Sequence, residues 1–193
     1  MTVVASIVEG DGEVEALPIL LRRLNGWLSP ETYVDIKVPI RVRRERFLEK
    51  AADFRQHLLL AAAKCGELGW ILILLDADDD CPAQLGLEVL RRAKEIVPHR
   101  RVSVILAKRE YEAWFIAAAE SLHGQRGFML ENEAIDPEVP RNAKGWIAKQ
   151  MVGGVYREKT DQPAFSNRMD LVKAHERSPS FRKLCSEWKK QMV

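Results

Sequence analysis

The stretch Trp70-Ile71-Leu72-Ile73-Leu74-Leu75-Asp76-Ala77-Asp78-Asp79-Asp80 constrains this chain most. Six apolar residues without a charge run directly into four acids within five positions. The run has the length of a strand and is too uniformly apolar for one with a wet face. It predicts a strand buried on both sides, as in a parallel sheet. Open α/β sheets place their sites beyond the C-terminal ends of such strands, which is where the acids fall. Carboxylates this dense repel one another unless cations compensate them. Asp76, Asp78 and Asp80 are offset by two and can converge on one hard cation such as Mg2+ or Mn2+.

The flanking chain supplies partners for that strand. Thr2 to Val8 is β-branched and reads as a first strand, ending in Glu9-Gly10-Asp11-Gly12-Glu13, where two glycines suggest a tight turn. A helix follows over about 13–27, with Val14, Leu17, Leu20, Leu21 and Leu24 as its apolar stripe. Tyr33 to Val38 predicts a strand closed by Pro39, and 43–65 one long helix through Phe47, Phe54 and Leu58. Pro82 opens a helix to about Val97, Arg101 to Ala107 alternates as a fourth strand, and 110–122 is an amphipathic helix. This βα alternation predicts a mainly parallel four-stranded sheet flanked by helices over residues 1–122. Residues 123–193 read as an acidic, turn-rich excursion (124–140) and then a helical extension over 142–151 and 170–188, packed on the same domain.

At 193 residues, 47% hydrophobic and 30% charged, the chain suits one globular domain. A net charge of +2 selects no partner by itself. Cys65, Cys81 and Cys185 are odd in number and lack metal-ligand spacing, which suits a reducing compartment. No signal-like N-terminus and no membrane-length apolar run is present, so a cytoplasmic protein without a membrane partner is expected.

Two acidic groups, Glu9 with Glu13 and Asp76 with Asp78 and Asp80, each follow a predicted strand. If those strands are neighbours, both groups meet at one sheet edge, where divalent ions can hold the oxygens of a phosphate. In their order, the segments Ile7-Val8-Glu9-Gly10 and Leu74-Leu75-Asp76-Ala77-Asp78 resemble the Toprim domain of topoisomerases, bacterial primases and the overcoming-lysogenization-defect nucleases. Glu9 and Glu13 stand at the Glu-x-x-x-Glu spacing of the nuclease branch. Glu112-Ala113-Trp114-Phe115 and the segment Tyr156 to Lys159 are similar to marks of small bacterial Toprim-like proteins found in defence or DNA-processing loci, often beside an ATPase.

The resemblance implies roles. Glu9 would be general acid/base or metal ligand, and Asp76 and Asp78 would hold the principal Mg2+. Glu13 and Asp80 would complete the shell or hold a second ion, Glu112 would serve a second metal, and Lys159 would offset charge on the scissile phosphate. It also implies a nuclease acting on nucleic acid, with DNA the first expectation and RNA not separated from it by the sequence, and an ATPase as a possible partner protein. The basic run Arg41-Val42-Arg43-Arg44-Glu45-Arg46 is a candidate phosphate contact, chiefly through Arg43, Arg44 and Arg46. So are the basic groups around Arg91 to Arg101 and Arg182 to Lys190.

Plainer readings stand beside these. Asp76 to Asp80 can be a solvated helix cap, though one cap needs a single acid. A calcium loop is disfavoured by Cys81 and Leu87 at the positions that need Gly and Glu. An aspartate nucleophile would leave Glu9-Gly10 unexplained. Glu13 and Glu112 can be ordinary acids of a first helical turn. Trp114 and Phe115 read as core, His99, His123 and His175 as unmatched loop or surface residues, and His57 as an unmarked residue of a helix. At the level of function, two alternatives remain: a non-catalytic or partner-activated subunit of an ATPase-containing complex, and a phosphohydrolase or transferase for small nucleotides.

Overall fold

The structure, a computed structural model, describes residues 1–131 and 135–192. Its centre is a parallel sheet of five strands: β1 (Thr2–Val8), β2 (Val34–Ile36), β3 (Ile40–Arg41), β4 (Trp70–Asp76) and β5 (Arg101–Ala107). The order is β2-β1-β4-β5, with β3 also paired to β1. β4 is central, and Trp70 to Leu75 is buried throughout. Alternate residues point to opposite faces of a strand. Accordingly Trp70, Leu72 and Leu74 enter one core, and Ile71, Ile73 and Leu75 the other. Burial on both faces is why this strand carries no polar alternation.

Ten helices cover the described sheet: α1 (Asp11–Leu28), α2 (Arg44–Glu49), α3 (Ala51–Cys65), α4 (Pro82–Ile96), α5 (Ala113–Ala117), α6 (Ala119–Leu122), α7 (Ala143–Gln150), α8 (Glu158–Arg168), α9 (Leu171–Arg177) and α10 (Pro179–Gln191). Helices α3 and α4 close one face, with Phe54, Leu58 and Val89 against the sheet. The other face is closed by α1 together with the helical C-terminal part. There α8 lies along α1, where Arg23 donates to the Ser166 carbonyl at 2.8 Å. Trp188 of α10 packs edge-on against Trp70, with ring centres 5.8 Å apart. Among the described residues no helix is long and apolar enough to cross a membrane.

The sheet has one strand more than the sequence pattern predicts. β2 pairs with the first half of β1, up to Val4 with Ile36, and β3 with its end, Ile7 with Ile40 and Val8 with Arg41. Between them lies Pro39, which has no N–H to donate to a ladder. The chain leaves β1 there and rejoins it afterwards, which delivers the basic run from Arg41 onward to the C-terminal edge. The expected long helix over 43–65 is two helices, because Lys50 is extended (φ −95°, ψ 107°). Phe47 and Phe54 remain in contact across the break, 4.8 Å between ring centres, so the apolar spacing runs through it in phase. The helix expected over 110–122 starts only at Ala113 and is interrupted at Ala118. The one expected over 170–188 divides at Ser178, whose hydroxyl accepts from the Phe181 N–H ahead of Pro179. Helix α8 was not expected at all.

Candidate functional site

β1 runs beside β4, with Ile7 opposite Ile73, so Glu9 comes level with the end of β4. The chain departs from β1 toward β2 on one side and from β4 toward β5 on the other. The crevice beyond these two ends is therefore a topological switch point, the usual place for a site in an open α/β sheet. A cavity of about 530 Å3 opens there. Its floor is acidic, from Glu9, Glu13, Asp76 and Asp78. Arg41, Arg43, Arg44 and Arg46 form one wall, and Lys144 stands among the acids.

Each acid is held differently. Asp76 ends β4, and one of its oxygens accepts the Tyr111 N–H at 2.8 Å. Burial first, then Glu112 and Glu13, hold its carboxyl well above the usual range. Glu9 follows β1 directly. Burial and the Asp78 carboxylate raise its pKa, Arg44 opposing, and its Oε2 is buried without a partner. Glu13, buried in the first turn of α1, accepts the Gly10 N–H and the Gln162 amide (3.1 Å). Glu112 is fully buried. Its Oε1 accepts from the Tyr156 hydroxyl at 3.0 Å and from Gln162 at 3.3 Å, while Oε2 has no partner. Burial pushes Glu112 up to about 8, with Lys144 opposing and Glu13 adding to the rise.

Asp78 and Asp80 lie further out and share one cation. Arg44 reaches Asp78 at 3.5 Å and also pairs with Asp80, while its Nε donates to the Asp76 carbonyl at 3.0 Å. The acidic turn is braced by the loop after β5, since Asp78 donates its N–H to the Arg109 carbonyl at 2.9 Å. Asp78 adopts the left-handed region (φ 48°), which aspartate tolerates better than most residues. Asp79 turns away to Arg109 and Arg141.

The glycines of the first motif serve close approach rather than a left-handed turn. Gly10 has φ −99°, and a Cβ on it would lie 2.6 Å from the Glu13 carboxylate. A Cβ on Gly12 would lie 1.8 Å from Gln162 Oε1.

Thus Glu9, Glu13, Asp76, Asp78 and Glu112 come together, with Asp80 at the outer end. Arg43, Arg44 and Arg46 border the same cavity, although Arg46 is engaged by Asp53. Lys159 does not reach the floor. It is 73% exposed and pairs with Asp11 at 3.2 Å. The lysine in the cavity is Lys144, which sequence reasoning missed. Burial works against its ammonium, but Glu112, Asp76, Glu158 and Glu13 outweigh that and raise its pKa. Its ammonium lies 3.3 Å from Glu158. Tyr156 was singled out only as part of a segment, and Gln162 not at all. Their one sequence signal is Gly12, whose missing side chain leaves the space that Gln162 fills.

Among the described residues no three His, Cys, Asp or Glu side chains stand close enough together to hold a metal ion as they are placed. The donors nonetheless suit a hard cation. Glu9 and Glu112 each present a buried oxygen without a partner, and the acids raise one another's proton affinity. A divalent cation between Glu9, Asp76 and Asp78 would meet the Glu9 oxygen and offset the mutual repulsion with oxygen ligands.

A family model described as a domain of unknown function (DUF4276) matches residues 8–188, which takes in both acidic groups, helices α7 to α9 and most of α10. No curated protein and no solved structure matches the chain.

Proposed function

We propose that this chain, which belongs to the DUF4276 family, carries out metal-dependent phosphodiester hydrolysis on nucleic acid as a Toprim-type endonuclease. The observation that carries the reading is the meeting of Glu9, Asp76 and Asp78 at the switch-point crevice, with a buried acceptor on Glu9 unmet and an arginine wall alongside. The likeness of the two acidic motifs to Toprim nucleases supports it. Glu9, Asp76 and Asp78 would hold Mg2+ or Mn2+. Bound there, the ion supplies positive charge against the charge developing on phosphate and lowers the pKa of water.

The chain's own groups do the rest. Glu9 serves either as a ligand of that ion or, where it does not ligate the ion, as the proton acceptor for water, a role that the rise of its pKa by burial and Asp78 suits. Arg43 and Arg44 offer guanidinium groups to phosphate oxygens, and Arg44 does so by turning from Asp78. Lys144 offsets negative charge from within the floor. The resemblance extends the proposal to a defence or DNA-processing role in bacteria, inside the cell, with DNA as the nucleic acid.

A second reading, a subunit activated by an ATPase-containing partner, draws on another feature. An apolar groove of about 480 Å3 runs along edge strand β5 between α4 and α10, past Leu87, Leu90 and Val104.

The test is cleavage of supercoiled plasmid, linear DNA and structured RNA by the full chain with Mg2+, Mn2+ or EDTA. Cleavage that needs the metal should fall by on the order of 10²–10⁴-fold in Glu9→Ala, and Asp76→Ala should abolish it. Activity that survives both substitutions would sink the assignment. Turnover of mononucleotides alone would favour the small-substrate alternative.

A further inference from the structure

β5 closes one side of the sheet. Its residues pair with β4 from Arg101 to Ala107, and among the described residues no strand pairs with its other edge. The Ala107 carbonyl accepts from Ala77, which turns the backbone of Ala107, Ile105 and Ser103 toward β4. Alternate residues of a strand hydrogen-bond on opposite sides, so the N–H and C=O groups of Val102, Val104 and Leu106 point outward. Lys108 continues that series, and its N–H donates to the Ser180 hydroxyl of α10 at 3.3 Å. Nothing among the described residues pairs with the other three. Edges are usually blunted by proline, a bulge or an inward charge. Val102 to Ala107 has no proline and no charge, and its register with β4 is unbroken.

The apolar groove of about 480 Å3 between α4 and α10 runs along this edge. Leu87 of α4 lines it, is 69% exposed and belongs to neither core. α10 runs antiparallel to β5, because Ser180 meets Lys108 and Gln191 meets Arg101. Lys108 therefore stands at one end of the groove and Lys190 at the other. Neither ammonium lies within ion-pair distance of a described acid, whereas Lys183 between them is taken by Glu187. These charges select the occupant. A second copy pairing antiparallel through its own β5 would bring Arg100 and Arg101 of one chain opposite Lys108 of the other, at both ends. Like charges placed opposite each other destabilise a strand pair.

We infer that the β5 edge receives an extended segment of a partner protein as a further strand, apolar where it faces Leu87 and acidic at its ends, where it meets Lys108 and Lys190. Strand addition of this kind draws affinity from main-chain hydrogen bonds and specificity from the alternate side chains. No residue lines both this groove and the acidic cavity, so a partner can dock here whether or not the cavity holds a metal.

The test is selection of a phage-displayed library of random dodecapeptides on the full chain, with the enriched peptides then measured by fluorescence anisotropy. Enriched sequences should alternate apolar and polar residues between acids. Leu87→Asp, at an exposed helix position, should weaken their binding by about tenfold or more, the order of a lost buried leucine contact. Lys190→Glu should weaken it as well, and methylating alternate amides of the peptide should abolish it. Bound peptide should protect the N–H groups of Val102, Val104 and Leu106 from hydrogen exchange. No enrichment, or peptides that bind a folded Leu87→Asp as tightly as wild type, would overturn the inference. So would a wild-type dimer in sedimentation that Leu87→Asp dissociates, which would give the edge to a second copy. Should Leu87→Asp not fold, full binding by the methylated peptide would overturn it instead. Metal-dependent cleavage of plasmid is read separately and stands or falls apart from each of these outcomes.

Discussion

Glu112 ionises only at a cost to the fold. It is fully buried, and its carboxyl titrates near 8 against 4.5 for an ordinary glutamate. The folded chain therefore holds a proton that the unfolded chain gives up earlier. Stability contributed by the protonated form is complete below about 4.5 and is lost as pH rises toward about 8. In EDTA the melting temperature should fall across this window. Glu112→Gln keeps the shape and cannot titrate, so its decline should be shallower, and the two proteins should differ least near pH 4.5. Asp76 and Glu9, both raised, leave a residual slope in the variant. Parallel pH profiles for the two proteins would show that Glu112 is not the buried acid described. Added Mn2+ should stabilise wild type more at pH 8 than at pH 5, because only ionised carboxylates bind it.

Helix α7 shows how much a short element can matter. It has eight residues, too few to be stable alone, and it carries Lys144 into the floor. Asn142 caps it, and Asn142→Ala should lower stability by about 0.5–2 kcal/mol, read by chemical denaturation. An unchanged denaturation midpoint would mean that Ile147 and its neighbours hold the helix without the cap.

Elements of this kind also mark the limit of what the sequence tells. β1 and β5 were legible to the residue, and β4 to within one, because runs of β-branched and aliphatic residues ending in Glu, Asp or Lys have no competing reading. The acidic floor was legible for the same reason, since it hangs from two strand ends. The break at Lys50 was not, because the apolar phase of α2 and α3 continues across it. Helix α8 was not, because it holds Pro163 within it and few apolar residues mark its face. With α8 hidden, Gln162 had no address, and Lys159 was singled out although it is Lys144 that lines the cavity.

At the scale of the whole molecule, the first 122 residues are not a free-standing unit. Leu17, Leu20 and Leu24 of α1, and Tyr111 with Trp114, are buried in the same core as Phe165, Phe181 and Trp188. Removing residues 123–193 would bare that face, far more apolar surface than a soluble monomer tolerates. The fragment 1–122 should scatter light and melt without a cooperative transition. A folded, monomeric fragment with a sharp melt would show the extension to be an addition. The same dependence sets a timetable. On the ribosome Glu9 and Asp76 emerge long before Lys144, Tyr156 and Gln162, and domains complete their packing as chain becomes available. A half-made or prematurely ended chain thus owns the acids but neither the lysine that balances them nor the amide that aims them. The cavity is thus completed last, when the helices that follow residue 142 pack against the sheet edge.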